Sequence, residues 1–176
     1  MTLWRDINSG AYRPARSIAF IVDRPVKREI FAADFRDRVV HHLIITKLDP
    51  LFERELIFDT YACRAGKGTH LGIRRVERFL RSCSRGHTCD CYVLKLDIAG
   101  FFMSIDRGIL YRRLEAFVRA KYGAADREIV LDLCRTVVFC DPARTCVIRG
   151  RRSDWGGLPA DKSLFHSRPG SAPTST

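Results

Sequence analysis

The sequence has no long hydrophobic run, and its first residues contain no apolar segment. No stretch of about 18 uncharged apolar residues occurs among the 176 residues, so a membrane-spanning helix is not expected. The segment 1–9 carries Arg5 and Asp6 and lacks the apolar core of a secretory signal. These absences lead us to expect a cytoplasmic protein that has no membrane partner.

Acidic residues are scarce relative to basic ones. The chain has 20 Asp and Glu against 31 Lys and Arg, a formal net charge of +11. Such an excess favours binding to polyanions. Nucleic acid is the first candidate, because each phosphate contact releases condensed counterions. An ordinary basic protein is the alternative, since net charge reports on association and not on fold.

The cysteines are odd in number, seven in all, and no secretory signal accompanies them. Reduced thiols are therefore expected. The most closely spaced candidate zinc ligands are Cys83, His87, Cys89 and Cys91. Zinc sites usually use two ligand pairs held apart by a longer loop, whereas these spacings are irregular. A zinc site and incidental loop cysteines both stay open.

Hydrophobic patterning predicts an α+β chain. Short apolar runs predict strands at 18–22, 58–63, 92–96 and 146–148. Apolar residues recurring at helical spacing predict helices at 27–47, 70–83, 107–121 and 125–139. In the second of these helices, the side chains expected to face inward are Ile73, Val76, Phe79 and Leu80. Thr69 and Asp106 are expected to cap the helices that follow them, and Pro50 to end the first helix. The segment 168–176 has no apolar residue larger than alanine or proline and is expected to be disordered.

The strand predicted at 92–96 runs directly into Asp97. Burying a charged carboxylate is unfavourable unless it is paired or binds a metal ion. Asp97 is therefore a candidate metal ligand. A carboxylate that caps a turn at the strand end is the alternative.

The segment from Asp97 to Phe102 resembles motif A of reverse transcriptases, the Asp-x-x-x-x-Phe element of the palm. It is most similar to the bacterial retroelement enzymes of retrons, group II introns and diversity-generating retroelements, and closest to the last of these. Three further segments resemble blocks of the family and occur in the expected order. They are 27–31 and 58–70, which resemble the first two fingers blocks, and 155–159 with 162–165, which resembles the segment ahead of motif B.

The resemblance implies a role for each matching residue in RNA-directed DNA synthesis. Asp97 would ligate both Mg²⁺ ions of a two-metal polymerase site, and Ile98 would offer its backbone carbonyl to one of them. Phe102 would lie under the sugar and exclude a 2′-hydroxyl. Arg64 and Lys67 would hold the triphosphate of the incoming dNTP.

The resemblance also implies partners and an organisation. An RNA template, a DNA primer, dNTP and an accessory protein are the expected partners, and Lys27, Arg28, Arg74 and Arg75 are the expected nucleic-acid contacts. The implied fold is a partial right-hand polymerase fold. Its expected divisions are fingers at 1–90, part of the palm at 91–167 and the tail at 168–176.

Several parts of the family pattern do not occur in this sequence. It contains no Asp-Asp pair, hence no Tyr-x-Asp-Asp hairpin, and it lacks motif B and the thumb. One carboxylate cannot hold two Mg²⁺ ions productively, so the isolated chain is expected not to polymerise DNA. The change in composition at Arg168 suggests a frameshift or a premature stop, with a genuine short product as the alternative. The competing functions are a non-catalytic basic module that binds RNA or DNA, and a small cysteine-histidine metal domain.

Overall fold

The fold combines helices with one small sheet, seen in a computed structural model that describes residues 3–98 and 100–165, without the side chains of Phe102 and Met103. The helices are α1 (Leu3–Asn8), α2 (Phe35–Glu55), α3 (Thr69–Cys83), α4 (Phe101–Ser104), α5 (Arg107–Lys121) and α6 (Arg127–Phe139). The strands are β1 (Ile18–Val22), β2 (Arg28–Ala32) and β3 (Val147–Ile148), and short 3₁₀ turns follow at Arg152–Trp155 and Ala160–Lys162. The α+β class is therefore confirmed.

The described residues form two compact units. One comprises 3–48 and 100–165 and is called the sheet unit here, and the other comprises 49–98 and is called the α3 unit. The boundaries expected at residues 90 and 167 divide fingers from palm and palm from tail, not one compact unit from another. They stay predictions.

The sheet has the order β2-β1-β3. Strand β1 is antiparallel to β2, with Phe20 opposite Ile30, and parallel to β3, with Ile18 opposite Val147. One side of the sheet packs on a cluster of buried residues that includes Ala19, Trp155, Leu158 and Phe165. The rings of Trp155 and Phe165 pack edge to face with their centres 5.9 Å apart, a geometry that aromatic pairs favour.

The helical core also belongs to the sheet unit. It combines Val40, Ile44 and Leu48 of α2 with Val118 of α5 and four residues of α6, which are Val130, Leu131, Leu133 and Cys134. The i, i+4 spacing in α2 places its three apolar residues on one face. Burial raises the pKa of the Cys134 thiol to about 11, as expected for a cysteine that acts as a small apolar side chain.

The α3 unit differs, because none of the apolar side chains in its described residues is buried. Ile73, Val76 and Phe79 of α3, predicted to face inward, are about half exposed or more. The prediction of a buried face was therefore wrong, although the helix itself was placed correctly. Gly68 and not Thr69 is its N-cap.

Three other elements differ from their predictions. The helix predicted at 27–47 begins only at Phe35, because 28–32 pairs with β1, and it continues through Pro50 to Glu55. Turns occupy 58–63 in place of a strand, and 92–96 has no regular structure. The strand β1, the helices α5 and α6 and the short β3 are confirmed. The expected disorder of 168–176 lies outside the described residues. No helix in the described ranges is both long enough and apolar enough to cross a bilayer.

Candidate nucleic-acid interface

Helix α3 carries its charge on one side. Arg74, Arg78 and Arg81 are exposed and follow the spacing i, i+4, i+7, which places them in one row along the helix. Val76 lies on the opposite side of the helix. We call the three residues the arginine row. Within the described part of the chain, none of the three guanidinium groups forms an ion pair with a carboxylate, so their positive charge is directed to solvent.

Arg75, next to that row, is engaged inside the α3 unit. Its Nε and Nη2 donate to the two carboxylate oxygens of Asp59, at 2.7 and 2.9 Å. The Tyr61 hydroxyl donates to Asp59 Oδ1 at 2.5 Å. The Arg75 guanidinium, followed by the Tyr61 hydroxyl, lowers the pKa of Asp59 from 3.8 to about 2. This bidentate ion pair connects the turn at 58–61 to α3.

The Asp59 pair is expected to make the α3 unit sensitive to acid. A carboxyl whose pKa is lower in the folded chain stabilises the fold above its unfolded pKa, and that contribution is lost as pH falls towards the folded pKa. For Asp59 the window runs from about pH 4 down to about pH 2. In a ¹³C carboxyl NMR titration, Asp59 is expected to titrate near pH 2, and at a clearly higher pH in Arg75→Gln, where the Tyr61 hydroxyl still lowers its pKa. Arg78→Gln, on the same helix, should leave the midpoint unchanged, and a midpoint near 4 in the unaltered chain would contradict the pairing.

Arg64 is also held by internal partners. It donates to Glu53 through Nε at 2.8 Å and Nη2 at 2.7 Å, and to the Ile57 carbonyl at 2.8 Å. Its side chain is only 7% exposed. A role in holding the triphosphate stays a prediction, and it requires Arg64 to exchange Glu53 for phosphate.

Lys67 and Arg75 meet at one aromatic ring. The Lys67 ammonium lies 4.0 Å from the ring centre of Phe58, and the Arg75 guanidinium lies 5.1 Å from it. Lys67 also donates to the Phe58 carbonyl. Both cations are within the range of cation–π attraction. The structure therefore brings Lys67 and Arg75 together through Phe58, and the predicted contact of Lys67 with dNTP stays a prediction.

Asp97 is exposed, and its Oδ1 accepts a hydrogen bond from the Ile98 backbone N at 2.9 Å. The segment before it is exposed as well, with Tyr92 at 92%, Leu94 at 81% and Leu96 at 80%. The predicted burial of 92–96 was wrong. A strand needs a hydrogen-bonded neighbour, and no strand among the described residues pairs with it.

The carboxylates required for two Mg²⁺ ions do not come together in the described residues. No group of three or more His, Cys, Asp or Glu side chains there could hold a metal ion. Asp97 alone does not fit a two-metal site, which needs further anionic ligands. The metal roles of Asp97 and Ile98 therefore stay predictions, and the side chain of Phe102 lies outside the described residues.

The four candidate zinc ligands do not form such a group either. Cys83 and Cys91 do approach each other. The pKa of the Cys91 thiol is raised, first by its hydrogen bond with the Cys83 thiol and then by burial. A zinc site at these four residues stays a prediction.

The remaining predicted contacts, Lys27 and Arg28, lie at the start of β2 in the sheet unit. Arg28 is exposed, whereas Lys27 donates to the Gly156 carbonyl at 2.7 Å. The next residue, Glu29, accepts three hydrogen bonds, from Trp155 Nε1 at 2.7 Å, Ser163 Oγ at 3.0 Å and Leu164 N at 2.7 Å. Sequence reasoning did not identify Glu29. Two of the segments that resemble the polymerase family, 27–31 and 155–165, therefore contact each other directly.

Comparison with models of known protein families gives no match, and no curated protein sequence matches the chain.

Proposed function

We propose that this chain is a reverse transcriptase polypeptide whose own residues bind nucleic acid, and that it does not polymerise DNA by itself. The observation that carries the binding role is the arginine row of α3. Three guanidinium groups that have no carboxylate partner among the described residues lie along about 10 Å of helix and match the repeated charges of a phosphate backbone. The net charge of +11 acts in the same direction at longer range.

The polymerase assignment rests on the four ordered sequence segments. The hydrogen bonds of Glu29 support it, because they join the first of these segments to the last. RNA template, DNA primer and dNTP are the corresponding partners. Two-metal catalysis needs several carboxylates close together, and the described residues do not bring such a set together, so the proposed role of this chain is binding.

RNA affinity is expected to depend steeply on salt and on the arginine row. Each phosphate contact of a single strand adds about 0.7 to the slope of log K against log salt, so three contacts contribute about 2. We expect the triple variant Arg74→Gln, Arg78→Gln, Arg81→Gln to lower the slope by that amount. Its affinity at low salt should fall about ten- to a hundredfold. Fluorescence anisotropy with a labelled single-stranded RNA, measured across a salt series, gives both quantities.

A matched triple variant removes the same charge elsewhere. Arg112→Gln, Arg113→Gln, Arg135→Gln changes three exposed arginines of α5 and α6. This control should keep most of the affinity and slope. Equal losses in both triple variants would show that only net charge matters and would refute the arginine row as the interface. Primer extension on an RNA template with Mg²⁺ or Mn²⁺ is expected to yield no product, and robust dNTP incorporation would refute the inactivity.

A non-catalytic RNA- or DNA-binding module is the second candidate. It is favoured by the exposure of Asp97, whose carboxylate accepts a hydrogen bond from the neighbouring Ile98 N. The two functions differ in ligand preference. A polymerase polypeptide should prefer a primer–template duplex with a single-stranded overhang, whereas a module should bind the single strand equally well.

A further inference from the structure

The sheet unit contains a cavity lined by the start of α2, by Phe31 of β2 and by the end of α6. Its volume is about 240 Å³, slightly below the range of about 300 to 1,000 Å³ typical of drug-sized ligand sites. Most of the wall is apolar, with Phe31 on one side and Val137 on another. The size and the wall fit one substituted ring.

A buried carboxylate lies in this wall. Asp37, in the first turn of α2, is only 3% exposed. Its Oδ1 accepts from the Tyr12 hydroxyl at 2.8 Å, and its Oδ2 accepts from the Ala15 backbone N at 2.8 Å. Each carboxylate oxygen has two lone pairs, so each keeps capacity for a further donor.

The charge of Asp37 has no cationic partner among the described residues. No Lys or Arg nitrogen there lies within ion-pair distance of it. The guanidinium groups of Arg36 and Arg107 contact other partners. Arg36 binds Asp6 and lies over the Tyr12 ring, and Arg107 donates to the Cys140 carbonyl at 3.0 Å. Since an unpaired buried charge is unfavourable, the site is suited to a cation from outside.

The groups beside Asp37 do not supply that positive charge. Burial, followed by Asp37, raises the pKa of the Tyr12 hydroxyl, and the same two causes raise the pKa of the Cys140 thiol. Both side chains are therefore neutral near pH 7. The start of α2 contributes only a partial positive charge. His41, one helical turn further along α2, also lines the cavity.

We propose that the Asp37 cavity binds a small organic cation, an amidinium or ammonium group carried on a single apolar ring. The ring occupies the space beside Phe31 and Val137, and the cationic N–H groups donate to the free lone pairs of Asp37. This inference does not depend on the proposed nucleic-acid function, which uses the other unit.

Benzamidine is the probe, and benzamide, its neutral analogue of the same shape, is the control ligand. With the full chain, saturation-transfer NMR and a titration of amide chemical shifts are expected to show benzamidine binding at the cavity, at least tenfold tighter than benzamide. Absence of benzamidine binding, or equal binding of benzamide, would overturn the proposal.

Four variants test the contribution of the Asp37 charge and of the cavity space. Asp37→Asn should weaken benzamidine binding at least tenfold, whereas Asp132→Asn, an exposed carboxylate of α6, should leave it unchanged. Because Asp37 also holds Tyr12 and Ala15, Thr145→Phe provides an independent test: it fills the cavity, keeps the carboxylate and should abolish binding. His41→Asn should retain binding. Undiminished binding in folded Asp37→Asn or in Thr145→Phe would refute the site.

Discussion

Glu29→Ala is expected to lower the free energy of unfolding by about 3 kcal/mol. The Glu29 carboxylate accepts hydrogen bonds from Trp155, Ser163 and Leu164, which lie 126 to 135 residues further along the chain. Hydrogen bonds to a charged group contribute about 1.5 to 3 kcal/mol each, and three that share one acceptor are not additive. Their loss removes the acceptor that the Trp155 indole N–H uses in a partly buried site.

Urea unfolding followed by circular dichroism measures this change. Glu29→Gln should lose about half as much stability, because its amide oxygen still accepts while its NH₂ faces donors. Glu128→Ala is the matched control, because Glu128 is 66% exposed and forms only surface pairs with Arg119 and Arg127. We expect little change from it. A Glu29→Ala protein as stable as Glu128→Ala would contradict the role given to this network.

Leu133→Ala is expected to destabilise the chain by about 3 kcal/mol. Leu133 is 2% exposed in the helical core of the sheet unit, so its truncation removes buried methyl groups and leaves a cavity. The same unfolding experiment measures the effect.

Leu110→Ala on α5 is the matched control. Leu110 is 43% exposed, so the same change is expected to lower stability by less than about 1 kcal/mol. Equal effects of the two substitutions would show that α6 does not pack in solution as it does in the structure. A Leu133→Ala protein as stable as the unaltered chain would lead to the same conclusion.

The arginines of α3 show which features of the candidate interface the sequence predicts and which it does not. The sequence indicated that α3 is a basic helix, because its arginines and apolar residues follow a helical period. It did not distinguish Arg75 from Arg74. That distinction depends on Asp59, which lies in a turn 16 residues earlier and binds Arg75 with both oxygens. Arg64 is similar, because its partner Glu53 is at the end of α2, a segment where Pro50 predicted the helix to stop.

The sequence by itself determined the elements whose signals are local. Helix α5 occupies the predicted residues, because its apolar period and the Asp106 cap, which accepts from Ile109 N at 2.8 Å, act within a few residues. Strand β1 was equally clear from its short apolar run. Tertiary structure alone decided that 28–32 is a strand, that 92–96 is exposed and that Glu29 holds 155–165. The physical reason is that a strand and a hydrogen-bonded carboxylate depend on partners outside their own segment, and hydrophobic patterning carries no information on which partners those are.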